Sequence, residues 1–398
     1  MTLPTRDDIV GVLRGVIDPE LGSDVVDLGM VGDVAVGADG AVVVTIALTT
    51  AGCPLRAQIQ KDIRARVGSL PGVTSVSLSW TEMTDEQRSS AMAKARWNVS
   101  QRPEETSVPY TAKVVLIASG KGGVGKSSVT VNLAAALAAR GLTVGVLDAD
   151  IWGFSVPRML GLSEAGRMAG RKGPGDDAKP RMVPHERRIG RGVLRVVSMG
   201  FLVPGEETAL MWRGLMLNRG VQHFLQDVEW GDDLDYLLVD MPPGTGDVQM
   251  GVAKLLPRAE VVVVTTPARA AQKVAERAVG MARKSYLRVA GVIENMSAFE
   301  VNGESYPLFG EGGGEQLAHD AGVPLLGSVP LAPGVSAGGD AGEPVVLGEG
   351  PAAEAFAAIA GRIVDEAIPP AEMAGCSARM LDAAVAALDA LDTADAPA

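Results

Sequence analysis

Residues Lys113 to Ser128 read KVVLIASGKGGVGKSS, and their reading decides the fold. Val114 to Ala118 is an apolar run with the length and branched side chains of a buried strand. Val129 to Arg140, VTVNLAAALAAR, has helical spacing and stops at Gly141. Between them Gly120, Gly122, Gly123 and Gly125 give the spacing GxxxxGKS. Strand, glycine loop and helix in that order form a P-loop, whose exposed backbone N–H groups wrap a phosphate at a helix N-terminus. Lys126 is placed to neutralise β and γ phosphates and Ser127 to ligate Mg2+. The candidate cradle is Gly120, Lys121, Gly122, Gly123, Val124, Gly125, Lys126, Ser127 and Ser128.

Working outward, Thr143 to Leu147 is a second strand that ends in Asp148-Ala149-Asp150, and Tyr236 to Val239 is another, ending in Asp240. Carboxylates at the C-terminal ends of strands beside a P-loop stand where Mg2+ and an attacking water belong. Val261 to Thr265 and Arg288 to Glu294 supply further strands, with a helix from about Ala270 to Ser285 between them. Strands alternating with helices predict an α/β domain over 112–370, with a mostly parallel sheet and helices on both faces. Before it, residues 1–84 read as a small α+β domain. Helices are expected over Arg6–Val16 and Arg56–Val67, and strands over Ala41–Leu48 and Val73–Trp80. Residues 85–111 turn polar around Pro103 and Pro109, a linker that leaves the two domains free to move. Ser163 to Gly192, rich in Arg and Lys, is expected to be a mobile loop or hairpin. Residues 371–398 form an acidic tail with one short amphipathic helix, LDAAVAALDAL.

Composition narrows the partners. A formal charge of -12 and a pI near 4.9 oppose broad binding to nucleic acid or to an anionic membrane. No apolar run approaches the ~18 residues of a spanning helix. Met1 to Arg14 lacks the charged start and apolar middle of a signal peptide, so the expected location is the cytoplasm. Two cysteines, Cys53 and Cys376, cannot build a disulfide framework, and three scattered histidines make no zinc pattern.

The run KGGVGKS resembles the deviant Walker A of the MinD/ParA-like SIMIBI ATPases. That likeness implies a nucleotide-sandwich homodimer in which Lys121 reaches the partner's phosphates. DADIWGFSVPRMLG (148–161), WRGLM (212–216), DMPPGTGD (240–247) and ENMS (294–297) are similar to the Mrp/ApbC-type iron-sulfur cluster carrier ATPases. The resemblance implies ATP and Mg2+, with Asp148 and Asp240 holding the ion through water and Asp150 orienting the attacking water. It implies that Asn295 reads the adenine edge, that Pro330 closes over the base, and that the clients are apoproteins. The WRGLM segment is either a helix that presses on the dimer partner or a core helix capped by its tryptophan.

DPE (18–20), VDLGMV (26–31) and TTAGCP (49–54) resemble the small domain of iron-sulfur assembly proteins. There Cys53 would be a sulfur or metal contact; a thiol packing the turn is the other reading. Most Mrp-type chains follow ENMS with a CxxC pair, and two such pairs hold a [4Fe-4S] cluster across a dimer. Here AFEVNGESYPLFG follows, and Val301 stands near the place of the first ligand. Cys53 and Cys376 are then the candidate thiols for a substitute site. Two functions stay open: a cluster carrier driven by ATP, and a cluster-free ATP switch that recruits or positions a protein partner.

Overall fold

The computed structural model describes residues 3–18, 23–48, 56–84, 86–91, 94, 106–150, 153–172, 180–202, 214–244, 247–301 and 304–370, with the backbone alone at 214–218 and 247. Cys53, Cys376, Trp212, Arg213, Thr245, Gly246 and the tail helix lie outside the described residues.

Helix α1 (Arg6–Leu13) begins at a capping box, in which Asp8 N–H donates to Thr5 Oγ1 at 3.2 Å and Thr5 N–H to Asp8 Oδ2 at 2.9 Å. Two short strands, β1 (Ile17–Asp18) and β2 (Ser23–Asp24), pair with each other. Then β3 (Val31–Val36) runs antiparallel to β4 (Ala41–Leu48), and helix α2 (Arg56–Gly68) crosses over to β5 (Ser75–Glu82), parallel to β4. Ile9, Leu13, Ile46, Ile59 and Ile63, all fully buried, form this unit's own core.

The large unit is built on a sheet whose strands β6 (Lys113–Ser119), β7 (Thr143–Asp148), β11 (Gly192–Ser198), β12 (Tyr236–Asp240), β13 (Glu260–Thr265) and β14 (Arg288–Val301) are mutually parallel. The order is β10-β11-β7-β12-β6-β13-β14, with β10 (His185–Ile189) an antiparallel edge. Strand β16 (Leu325–Leu331) extends the sheet beside β14. Successive residues of β6 face opposite ways: Val114, Leu116 and Ala118 join one core, Val115 and Ile117 the other. The first core is closed by α5 (Gly214–Gln226), α6 (Asp247–Leu255), α7 (Arg269–Lys284) and α8 (Gly313–Ala321). The second is closed by α3 (Lys126–Ala139), the short α4 (Val156–Met159) and α9 (Pro351–Arg362). Both faces are covered, which is why these strands read as unbroken Val and Leu runs.

The basic segment takes the hairpin form of its two expected ones: β8 (Gly170–Lys172) pairs with β9 (Pro180–Met182), and β10 with β11. Two other expectations change. Strand β14 does not end at Glu294; it kinks at Met296 (φ 57) and runs on to Val301, where β15 (Glu304–Tyr306) pairs back on it. The two domains do not hang free. Gly11 of α1 lies under the Tyr286 ring, where a Cβ would stand 2.2 Å from a ring carbon, and Arg66 of α2 donates to the Arg258 carbonyl at 2.5 Å. The described end of the linker is docked as well: Ser107 N–H donates to Leu225 O at 2.6 Å and Val108 is buried.

Candidate nucleotide site

The loop between β6 and α3 adopts its shape because glycine permits two things there. Gly120 lies so close to α7 that a Cβ would stand 2.2 Å from the Val274 carbonyl carbon. Gly125, at φ 78, starts α3 from the left-handed region. Above Gly122 and Gly123 a Cβ would meet nothing within 4 Å, so the mouth of the loop is open to a ligand.

Below the loop three groups converge on one carboxylate. Lys126 Nζ donates to Asp240 Oδ1 at 2.6 Å, Ser127 Oγ to Asp240 Oδ2 at 2.5 Å, and Thr130 Oγ1 to Asp240 Oδ1 at 3.0 Å. Asp240 and Asp148 are register partners on adjacent parallel strands, so the two acids end side by side. Asp150 Oδ2 stands 3.8 Å from Lys126 Nζ. Asp148 accepts from Ser198 Oγ at 3.1 Å and from the Val156 and Asp150 amides, which fixes the chain that leaves β7. Burial first, and the Asp240 charge second, push the Asp148 carboxyl well above the usual carboxylate range. Burial raises Asp150 too, against the pull of Lys126.

Ser128, Asn295 and Pro330, far apart in sequence, line one compartment of about 240 Å3 that opens beside the cradle. Met159, Met296, Leu331 and Val335 give it apolar walls suited to a flat ring. Asn295 is buried, and its Nδ2 donates to the Val124 carbonyl at 2.9 Å. That bond uses one of the two N–H donors of the Asn295 amide, which also carries an acceptor oxygen, and the residue lines the compartment where the resemblance placed an adenine edge. Glu294 accepts from Gly314 N–H at 2.6 Å and from Ser328 Oγ at 3.3 Å, and so anchors the strand that carries Asn295. Lys121 is exposed and makes no ion pair among the described residues.

Thr130, Glu294 and the Arg158–Asp340 ion pair at the compartment's rim were not found from the sequence. Thr130 had a signal, since it stands one helical turn after Lys126 and shares its face. The donor set suits Mg2+, with a hydroxyl and carboxylates, all hard oxygens. Among the described residues no group of three His, Cys, Asp or Glu could hold a metal ion by itself. Val301 lies in β14 with no cysteine nearby in sequence.

Comparison with known proteins agrees with this geometry. Residues 110–364 match the family described as NUBPL iron-transfer P-loop NTPase, and residues 6–78 match the iron-sulfur cluster assembly protein family. A protein named iron-sulfur cluster carrier protein from Mycobacterium tuberculosis (strain ATCC 25618 / H37Rv) is 44% identical over 360 residues, covering 86% of this chain and 90% of its own. One of the same name from Synechocystis sp. is 43% identical over 364 residues, covering 90% and 97%. Among solved structures, a nucleotide-binding protein in complex with ADP from Archaeoglobus fulgidus is 35% identical with a TM-score of 0.49, over 58% of this chain and 86% of that one. With a P-loop closed on Asp240, a small domain at the foot of the sheet and relatives matched over most of their length, the chain belongs to the iron-transfer P-loop NTPase family.

Proposed function

We propose that the protein binds and hydrolyses ATP with Mg2+ and uses that cycle, as a cytoplasmic homodimer, to assemble iron-sulfur clusters or deliver them to apoproteins. The observation that carries the ATPase is the convergence of Lys126, Ser127 and Thr130 on Asp240, under an open glycine cradle and beside a nucleoside-sized compartment. The cradle amides and Lys126 hold the β and γ phosphates. Ser127, Asp240 and Asp148 would hold Mg2+, which when bound neutralises charge on the transferring phosphoryl group. Asp150, beside Lys126, is placed to orient the attacking water. Loss of the γ phosphate frees Lys126 and the turn after Asp240 to change shape, which turns hydrolysis into movement. The iron-sulfur part of the reading draws on the names of the relatives and on the assembly domain.

A second reading, an ATP switch without a cluster, is favoured by one observation. Val301 stands where the resemblance placed a cysteine, and no CxxC pair follows ENMS. One experiment separates the two. Anaerobic reconstitution with iron and sulfide is followed by metal counts, transfer to an apo-ferredoxin and ATP turnover, on wild type and on Cys53→Ser and Cys376→Ser. A stoichiometric cluster passed to the acceptor and lost in either variant supports the carrier. Turnover without iron or transfer overturns it in favour of the switch, and absence of ATP turnover overturns both.

A further inference from the structure

At the foot of the sheet, opposite the nucleotide, charges are left over. Lys113 pairs with Asp62 at 3.6 Å, and Arg288 pairs with Glu260. Both nearby carboxylates are thereby taken. Among the described residues Arg66, from the small domain, and Arg258, from the large one, pair with no carboxylate; they donate to backbone carbonyls, Arg66 to Arg258 O and Arg258 to Val108 O and Pro109 O. Arg66 is 4% exposed, and its Nη1, like Nε of Arg258, is shut off from solvent with no hydrogen-bond partner. The two guanidiniums line one small, partly open cavity of about 50 Å3 together with Asp62, Lys113 and Glu260.

The cavity is built to hold these cations in place. A Cβ on Gly15 would stand 2.4 Å from Arg66 Nη1, so only glycine lets the guanidinium pass. Tyr110 lays its ring 5.0 Å from the Arg258 guanidinium. Burial depresses both arginines; Glu260 and Asp62 oppose this at Arg66 while Arg288 adds to it, and Arg66 lowers Arg258 further. Two unbalanced positive charges with unused donors are costly in such a setting. A water could take the hydrogen bonds, but it would leave the charge uncancelled.

We propose that the cavity between Arg66 and Arg258 is a binding site for one small monovalent anion of halide size, which ties the small domain to the P-loop domain. The volume admits one bare ion and excludes an organic phosphate. Because one guanidinium comes from each domain, the ion is a clamp across the junction. Its presence stiffens the docking of α1 and α2 on the foot of the sheet. This site stands apart from the nucleotide and does not depend on the proposed activity.

The test uses the full chain. Crystals soaked in bromide should show an anomalous peak between Arg66 and Arg258. Melting temperature at fixed ionic strength should be about 2–4 °C higher in chloride or bromide than in gluconate, which is too large to enter. Arg66→Met and Arg258→Met should each abolish both the peak and the salt difference. Phosphate in place of bromide should give no stabilisation; a phosphate response without a halide response overturns the halide assignment. No bromide peak at the site in the wild type overturns the proposal and identifies the contents as water, whether or not the variants fold.

Discussion

Lys126→Met and Asp240→Asn remove opposite members of the same 2.6 Å pair, yet they should destabilise the nucleotide-free protein unequally. Three acids share one ammonium: Lys126 Nζ lies 2.6 Å from Asp240 and 3.8 Å from Asp150, and its charge also acts on Asp148. Removing the lysine leaves buried carboxylates uncompensated, a change that costs about 3–5 kcal/mol. Proton uptake by Asp148, already raised, brings this to the lower end, about 3 kcal/mol. Replacing Asp240 by Asn keeps an acceptor for Thr130, leaves Lys126 facing Asp150, and removes the repulsion felt by Asp148. Its cost should be about 1 kcal/mol, the scale of one hydrogen bond. At roughly 2–4 °C per kcal/mol the melting temperature should fall about 6–12 °C for Lys126→Met and about 2–4 °C for Asp240→Asn. Both variants should lose ATP turnover. The assay is thermal unfolding by circular dichroism, nucleotide-free at pH 7. An Asp240→Asn drop equal to or larger than that of Lys126→Met would refute the picture of an over-acidic cluster held by one lysine.

Two glycines of the cradle should behave differently. Gly120→Ala drives a Cβ into the α7 backbone and should give little soluble protein, whereas Gly123→Ala, at φ 80 in open space, should fold at a cost of about 1–2 kcal/mol and bind a fluorescent ATP analogue at least about tenfold more weakly. Arg195 donates to both oxygens of Asp233, at 2.6 and 3.1 Å, and holds that carboxyl below its usual range. An acid with a depressed folded pKa stabilises above its unfolded value, so Asp233→Asn should cost at most about 0.5 kcal/mol at pH 7 after solvent screening. Urea titrations should show that gap closing as pH falls below the ordinary value of 3.8 and through the depressed one. Lys121 is exposed, and the proposal that it reaches the phosphates of a dimer partner predicts that Lys121→Ala retains ATP binding and loses hydrolysis; turnover equal to wild type would remove that role.

What the sequence made legible was local. The P-loop is a matter of spacing within one turn and one helix, and Asp148 and Asp240 were found because a strand's end can be read from where its apolar run stops. That these two acids are neighbours depends on β12 lying between β6 and β7, and strand order is not written in any one segment. Asn295 shows the same limit more sharply. Its position beside the nucleotide followed from resemblance, but its partner, Val124 O, is 171 residues away in sequence, and that contact ties the end of β14 to the P-loop. Arg66 was merely one more cation on an amphipathic helix until its contact 192 residues away placed it in the large domain. The linker shows why composition misled: polar residues between two domains describe the tether, while the docking is decided by Gly11, Gly15 and Tyr286, whose small and large side chains match only once both domains are folded. A tether loose in composition therefore still carries a domain held in place. Any signal from the nucleotide to the small domain must then pass through packed elements. Helix α7 is the candidate route, because Gly120 rests on it near one end and Tyr286 follows the other.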